Sequence, residues 1–250
     1  MLRKSLFVLV AVVLFGATFA APARAQSQAV SFNIGYFVLR GEDARLAEGD
    51  ILASELNGGY YDALAFNLKD FNNVTFGGEW LIGVGQFLDA GVGVAYYSSG
   101  GVLSVSRNFV NTDGSEIPQT LRLRIVPITA TVRFLPLGRS AVVEPYVGGG
   151  LGIFAWRYSE VGQFVFPNDA GGADISTATY QASGTKVGPV VLGGVRFPFG
   201  NFAIGGEIRW QKATGTLPGP LSANPQFLSD AIDLGGVTYQ ATFVVRFGGR

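Results

Sequence analysis

The sequence predicts an all-β fold: a transmembrane up-and-down antiparallel β-barrel of about eight strands, with short turns at one end and long loops at the other. Three observations predict it. The last strand, residues 237–247, places Val237, Tyr239, Ala241, Phe243, Val245 and Phe247 on one face and Thr238, Gln240, Thr242, Val244 and Arg246 on the other. This is the period of two of a strand with unlike faces, and about nine to eleven tilted residues cross a bilayer. The composition is 48% hydrophobic and only 14% charged, against about 25% charged in soluble domains. Similar runs recur along the chain with short and long connections in alternation, the layout of bacterial outer-membrane barrels.

Residues 1–25 read as a secretory signal peptide. Arg3 and Lys4 open it, an apolar core runs from Leu6 to Phe15, and Ala23-Arg24-Ala25 is a small-x-small cleavage site before Gln26. The barrel domain is then 26–250. Loss of Arg3, Lys4 and Arg24 from the 18 basic residues leaves 15 against 18 acidic, a net charge of −3. No basic field points to nucleic acid. There is no cysteine, which excludes disulfides, thiolate metal sites and a lipidated cysteine. No long apolar run follows the leader, so an exported apolar chain is left with a closed barrel as its route through lipid.

Strand one is expected over 30–39, with Val30, Phe32, Ile34, Tyr36 and Val38 on one face. A long segment covers 41–72. Strand two, 73–82, sets Val74, Phe76, Gly78, Trp80 and Ile82 against Thr75, Gly77, Glu79 and Leu81; a tight turn at 83–86 follows. Strand three, 88–97, opposes Asp89, Gly91 and Gly93 to Leu88, Ala90 and Val92. A second long segment is 98–119. Strand four, 121–134, slips in pattern near Arg124 to Val126, which predicts a bulge or the membrane boundary there. A turn at 136–139 leads to strand five, 144–153, then a third long segment, 157–184. Strand six, 186–197, and strand seven, 202–211, flank a turn at Pro198 to Asn201. A fourth long segment, 212–235, precedes the closing strand.

A soluble lipocalin-like barrel has the same alternation with its faces reversed. The apolar face is read as the outer one for three reasons. The polar face collects glycines, including Gly91, Gly148, Gly150, Gly194 and Gly205, which suit a narrow lumen. It also carries Glu79, Arg133, Glu144, Arg196, Glu207, Arg209 and Arg246, charges of both signs that pair across a small interior. Aromatics cluster near strand ends: Trp80, Phe134, Phe197, Phe199, Phe202 and Phe247 at the short-turn end, Tyr96 and Trp210 at the other. Trp156 has inward parity and fits the girdle less well.

The stretches 126–134 (VPITATVRF) and 145–152 (PYVGGGLG), with a last strand ending in Phe247, resemble the small eight-stranded outer-membrane β-barrel family, the membrane domain of outer-membrane protein A and its relatives. The resemblance covers nearly all of 26–250 and implies a monomeric outer-membrane protein bathed in outer-membrane lipid and lipopolysaccharide. It also implies that the C-terminal strand, with Tyr239, Phe243 and terminal Phe247, is the signal read by the barrel-assembly machinery. The chain departs from the family by adding Gly248, Gly249 and Arg250.

The chain has no histidine, so Ser–His and Asp–His mechanisms are excluded. No catalytic, cofactor or metal residue is expected. Ser183-Gly184-Thr185-Lys186 matches S-x-x-K without the helix and partner motifs that give it meaning. The run 148–152 is a glycine-lined strand rather than a phosphate loop. The first long segment is acidic, with Glu42, Asp43, Glu48, Asp50, Glu55 and Asp62 against Arg45. It reads as a solvated loop, with divalent-cation bridging to lipopolysaccharide phosphates as the alternative. The expected role is structural or surface-interaction through four long extracellular loops, whose partner the sequence does not name. A passive channel through the charged, glycine-lined lumen is the alternative, and a histidine-free lipid hydrolase the third reading.

Overall fold

The computed structural model describes residues 27–224 and 226–247. The expected leader and the Gly248-Gly249-Arg250 tail lie outside the described residues. In chain order the elements are β1 (Gln28–Leu39), α1 (Glu42–Ala47), α2 (Ile51–Leu56), β2 (Leu64–Ala65), a 3-10 turn (Leu68–Phe71), β3 (Asn73–Val84), β4 (Leu88–Ser98) and β5 (Val102–Val110). They continue with β6 (Glu116–Phe134), β7 (Glu144–Pro167), β8 (Ala173–Phe199), β9 (Phe202–Gln211), β10 (Thr214–Thr216), β11 (Ala231–Asp233) and β12 (Gly236–Phe247).

Eight strands close a ring. Each pairs antiparallel with its neighbour in the order β1-β3-β4-β6-β7-β8-β9-β12, and β12 returns to β1 over the register Gln28↔Phe247 to Leu39↔Gly236. Closure satisfies the backbone groups that an open sheet leaves at its edges. Both ends of the described chain sit at the short-turn end. There, glycines with positive φ make the bends: Gly85 at 65° and Gly200 at 62°, a region that costs other residues a Cβ clash.

The outer face is the apolar one, as the alternation predicts. Phe32, Ile34, Trp80, Val92, Val147, Leu151, Val187 and Ile208 are each more than half exposed. Spread round the ring, they form an apolar surface far beyond what a soluble monomer leaves open. Towards the short turns the inner face carries ion pairs interleaved with two small apolar clusters (Ala29, Leu81, Ala203 and Val244; Leu135, Tyr146 and Leu192), and towards the long loops it is apolar. The upper interior is a core of Phe37, Ile51, Leu52, Leu123, Ile125, Phe154, Trp156 and Tyr158. Trp156 is thus a core residue, in keeping with its parity.

Four expectations are corrected. No bulge occurs near Arg124 to Val126: β6 pairs with β7 in one register from Gln119↔Gly162 to Phe134↔Val147. What changes there is the chemistry of each face. Inward residues pass from Thr129 and Thr131 to Ile125, Leu123 and Leu121, while outward ones pass from Ile128 and Val126 to Arg124 and Arg122. The second long segment contains β5 and the start of β6, which form a hairpin. The third is an unbroken continuation of β7 and β8, paired out to Pro167↔Ala173. At about 3.3 Å per residue, the pairs beyond Arg157 extend about 33 Å along the strands. Together β5, β6, β7 and β8 raise one side of the barrel above the other, and β8 has no strand on its second side before Val190. Finally, the acidic first segment is no solvated loop. It carries α1, α2 and β2, and Ile51 and Leu52 are fully buried in the upper interior.

Candidate functional site

The barrel interior is stacked in tiers of ion pairs under an apolar cap. The central tier joins Glu79 on β3, Arg133 on β6, and Glu207 and Arg209 on β9. All are buried except for a small part of Arg209. Arg133 Nη2 lies 2.5 Å from Glu79 Oε2 and 2.9 Å from Glu207 Oε2. Arg209 Nη2 lies 3.3 Å from Glu79 Oε2 and 2.9 Å from Glu207 Oε1. Two carboxylates face two guanidiniums, so the tier is neutral. Remaining lone pairs are taken up by donors: Thr131 Oγ1 to Glu79 at 2.9 Å, and Gln240 Nε2 and the Tyr146 hydroxyl to Glu207 at 2.8 and 3.1 Å. Buried charges persist only when paired and hydrogen-bonded in this way.

Arg196 and Arg246 do not join this tier. Arg196 Nη2 donates to Asp89 Oδ2 at 2.7 Å, and Asp89 also receives Arg139 at 2.7 Å. Arg246 makes a two-pronged contact with Glu144, at 3.1 and 2.5 Å. The expected network is therefore three separate clusters. The Tyr146 ring stands between two of them, with Arg133 Cζ 5.3 Å and Arg196 Cζ 4.7 Å from its centroid, both within cation–π range.

Sequence reasoning missed Asp89, Arg139 and Tyr146. Asp89 has lumen parity on β4 and follows from the same rule that selected Glu79. Arg139 lies in a turn, where parity says nothing.

The lumen glycines are not open space. A Cβ on Gly91 would come within 2.5 Å of Glu79 Oε1, and one on Gly194 within 2.6 Å of the Tyr146 hydroxyl. Their missing side chains make room for long ones from neighbouring strands. Above the central tier there is a cavity of about 30 Å³, bounded by Phe37, Tyr97, Ile125, Thr129 and Arg209, with room for about two waters.

The apolar cap is fastened by a buried polar strap between the first and last outer segments. Arg45 Nη1 lies 2.8 Å from Asp50 Oδ1, both essentially inaccessible. Asp50 caps α2 by accepting from Leu52 N at 3.0 Å, and its other oxygen accepts from Asp233 N at 2.5 Å. Arg45 also donates to the carbonyls of Arg40 and Asp233. Burial raises the Asp50 carboxyl above its ordinary range, with Arg45 acting against the rise. At the rim, hydrogen bonds from Lys212 and Arg40 hold Glu48 below the usual carboxylate range. The strap had no sequence signal, because its partners lie up to 188 residues apart.

Ser183 and Lys186 lie on β8, opposite Arg157 and Phe154 of β7, so the S-x-x-K match falls on a strand. Gly148 to Gly152 lie on β7. Tyr239, Phe243 and Phe247 of β12 point outward and are about half exposed.

No family model matches the sequence, and no curated protein matches it. Among solved structures, the chain is similar to the outer membrane protein OprG from Pseudomonas aeruginosa, at 10% identity and a TM-score of 0.47, over 89% of this chain and 96% of that one. It is also similar to the N-terminal β-barrel domain of Pseudomonas aeruginosa OprF, at 9% identity and a TM-score of 0.41, over 90% of this chain and all of that one. A major outer membrane protein from Thermus thermophilus is similar at 11% identity and a TM-score of 0.41, over 90% of this chain and all of that one.

Proposed function

We propose that this protein is an integral outer-membrane barrel, closed to solute flow and without catalytic activity, that presents its raised outer end as an interaction surface. The observation that carries the reading is the pairing of a continuous apolar exterior with an interior filled from turns to cap by paired ions and packed side chains. An apolar exterior on a closed ring suits hydrocarbon, and a filled eight-stranded interior suits a scaffold rather than a pore. By the arrangement of such barrels, the chain ends and short turns face the periplasm and the long segments face outward. Loops on a rigid scaffold are where recognition concentrates. On this reading the exterior contacts lipid and lipopolysaccharide. The outward aromatics Tyr239, Phe243 and Phe247 make β12 the strand offered to the assembly machinery.

Two measurements test it together. The protein is expected to partition into detergent and to run with heat-modifiable mobility on a denaturing gel. In a planar bilayer it is expected to give no discrete conductance steps. Solubility without detergent overturns the membrane placement; steady unitary steps overturn the closed interior and restore the channel reading.

A further inference from the structure

A second cavity, of about 250 Å³, opens among the outer segments above the apolar cap. Its walls come from α2 and the chain after it, β5, β6, β7, β8 and the last outer segment. Three carboxylates line it: Glu55, Asp62 and Glu160. Glu55 and Glu160 are buried, and no cation acts on any of the three, among the described residues. Arg107, the basic residue beside the cavity on β5, directs its guanidinium to the carbonyl of Leu64. Uncompensated acids in a buried wall are costly, and the central tier shows how this chain otherwise treats them.

The remaining polar atoms point the same way. Gln119 Oε1 and Ser106 Oγ are buried at this cavity without a hydrogen-bond partner, and Glu160 Oε1 has none but the neighbouring buried Tyr158 hydroxyl, which acts on its carboxyl. Gln119 Oε1 can only accept, and Glu160 Oε1 does so once its carboxyl sheds its proton; both then call for a donor. The rest of the wall is aromatic. Phe164 and Tyr180 meet edge to face at 4.9 Å, and Phe227 stands 6.2 Å from Tyr180. Aromatic faces attract cations and pack against apolar bodies.

We infer that this cavity binds a small organic cation carrying N–H donors, a primary ammonium on an apolar or aromatic body. A metal ion is a poorer match, because no three acidic side chains among the described residues approach closely enough to hold one. A quaternary ammonium satisfies the charge but gives Glu160 and Gln119 no donor. The inference deepens the proposed surface role and rests on that reading for the cavity's access to the medium. The binding chemistry itself does not depend on it.

The test is calorimetric titration of the full chain, folded in detergent micelles, with 2-phenylethylammonium, with its N,N,N-trimethyl derivative and with calcium. Saturable binding of the primary amine is expected, tightening as pH rises from about 6 to about 8 and the carboxyls shed their protons. Glu160→Gln and Glu55→Gln are each expected to weaken it by about tenfold or more, as is trimethylation, because charge-assisted hydrogen bonds are lost. Heat-modifiable mobility verifies that each variant is folded, and either variant alone suffices. Absence of saturable binding, equal affinity in a folded glutamine variant, equal affinity of the trimethyl compound, or tighter binding of calcium each overturns the inference. None of these results changes the detergent requirement or the conductance, so this proposal and the membrane reading fail separately.

Discussion

Single side chains in the interior are held by charge balance more than by volume. Glu207 touches both guanidiniums of the central tier, Tyr146 and Gln240. Glu207→Ala leaves Arg133 and Arg209 sharing one carboxylate, and a loss of about 3–5 kcal/mol is expected, as for other buried pairs broken from one side; urea unfolding in detergent micelles measures it. Gly91→Val is expected to destabilise through the same tier without removing a charge, since its side chain occupies the space of the Glu79 carboxylate; loss of folded yield on refolding checks this. Glu160 behaves oppositely to the lumen acids. Burial lifts it from about 4.5 to about 7, so the folded state holds a proton that the unfolded state releases. Its contribution to stability is therefore present at low pH and lost as pH rises from about 4.5 to about 7. Hydrogen exchange of the outer segments as a function of pH follows this loss, and Glu160→Gln flattens it.

At the scale of elements, the staves were legible because each presents unlike faces to unlike surroundings. Residues 202–211 and 237–247 alternate cleanly, and the strands found there match within a residue or so. The upper parts of β7 and β8 were not legible. In upper β8 the odd positions 177–185 hold Thr, Gln and Ser and the even ones Ala, Tyr and Gly, a contrast too slight to mark a stave; the pairing with β7 makes it a strand. The apparent slip in β6 was a change of surroundings under a constant register. The helix α2 escaped because its acidic neighbours suggested solvent, whereas Asp50 and Arg45 neutralise one another inside the cap. Helices of six residues gain little from propensity and hold through packing. Ile51→Ala with Leu52→Ala is therefore expected to loosen the first outer segment, with a loss of about 2–5 kcal/mol per site at most. The measurement is amide exchange, faster over residues 42–71 and unchanged in β1 and β12.

For the molecule as a whole, the closed-barrel reading proposed above rests on two layers, the apolar cap above and the ion tiers below. Replacing residues 42–71 by a short flexible linker is expected to leave the barrel non-conducting, because the central tier still spans it. Conductance is expected only when Glu79, Arg133, Glu207 and Arg209 are also replaced by alanine, and planar-bilayer recordings of both variants distinguish the layers. The sequence announced the charges of the lower layer by parity, and Asp89 was readable by the same rule. It did not announce the upper layer, which depends on contacts between the first and last outer segments.

The half-raised wall leaves β8 from Ala173 to Thr185 paired with β7 alone among the described residues, so its other backbone edge carries unpaired amide and carbonyl groups. Such a border is a ready seam for another extended chain. Here the seam is threaded with Ser176, Thr177, Thr179, Gln181 and Ser183, all exposed, side chains that hold water over a border that greasy ones would leave bare.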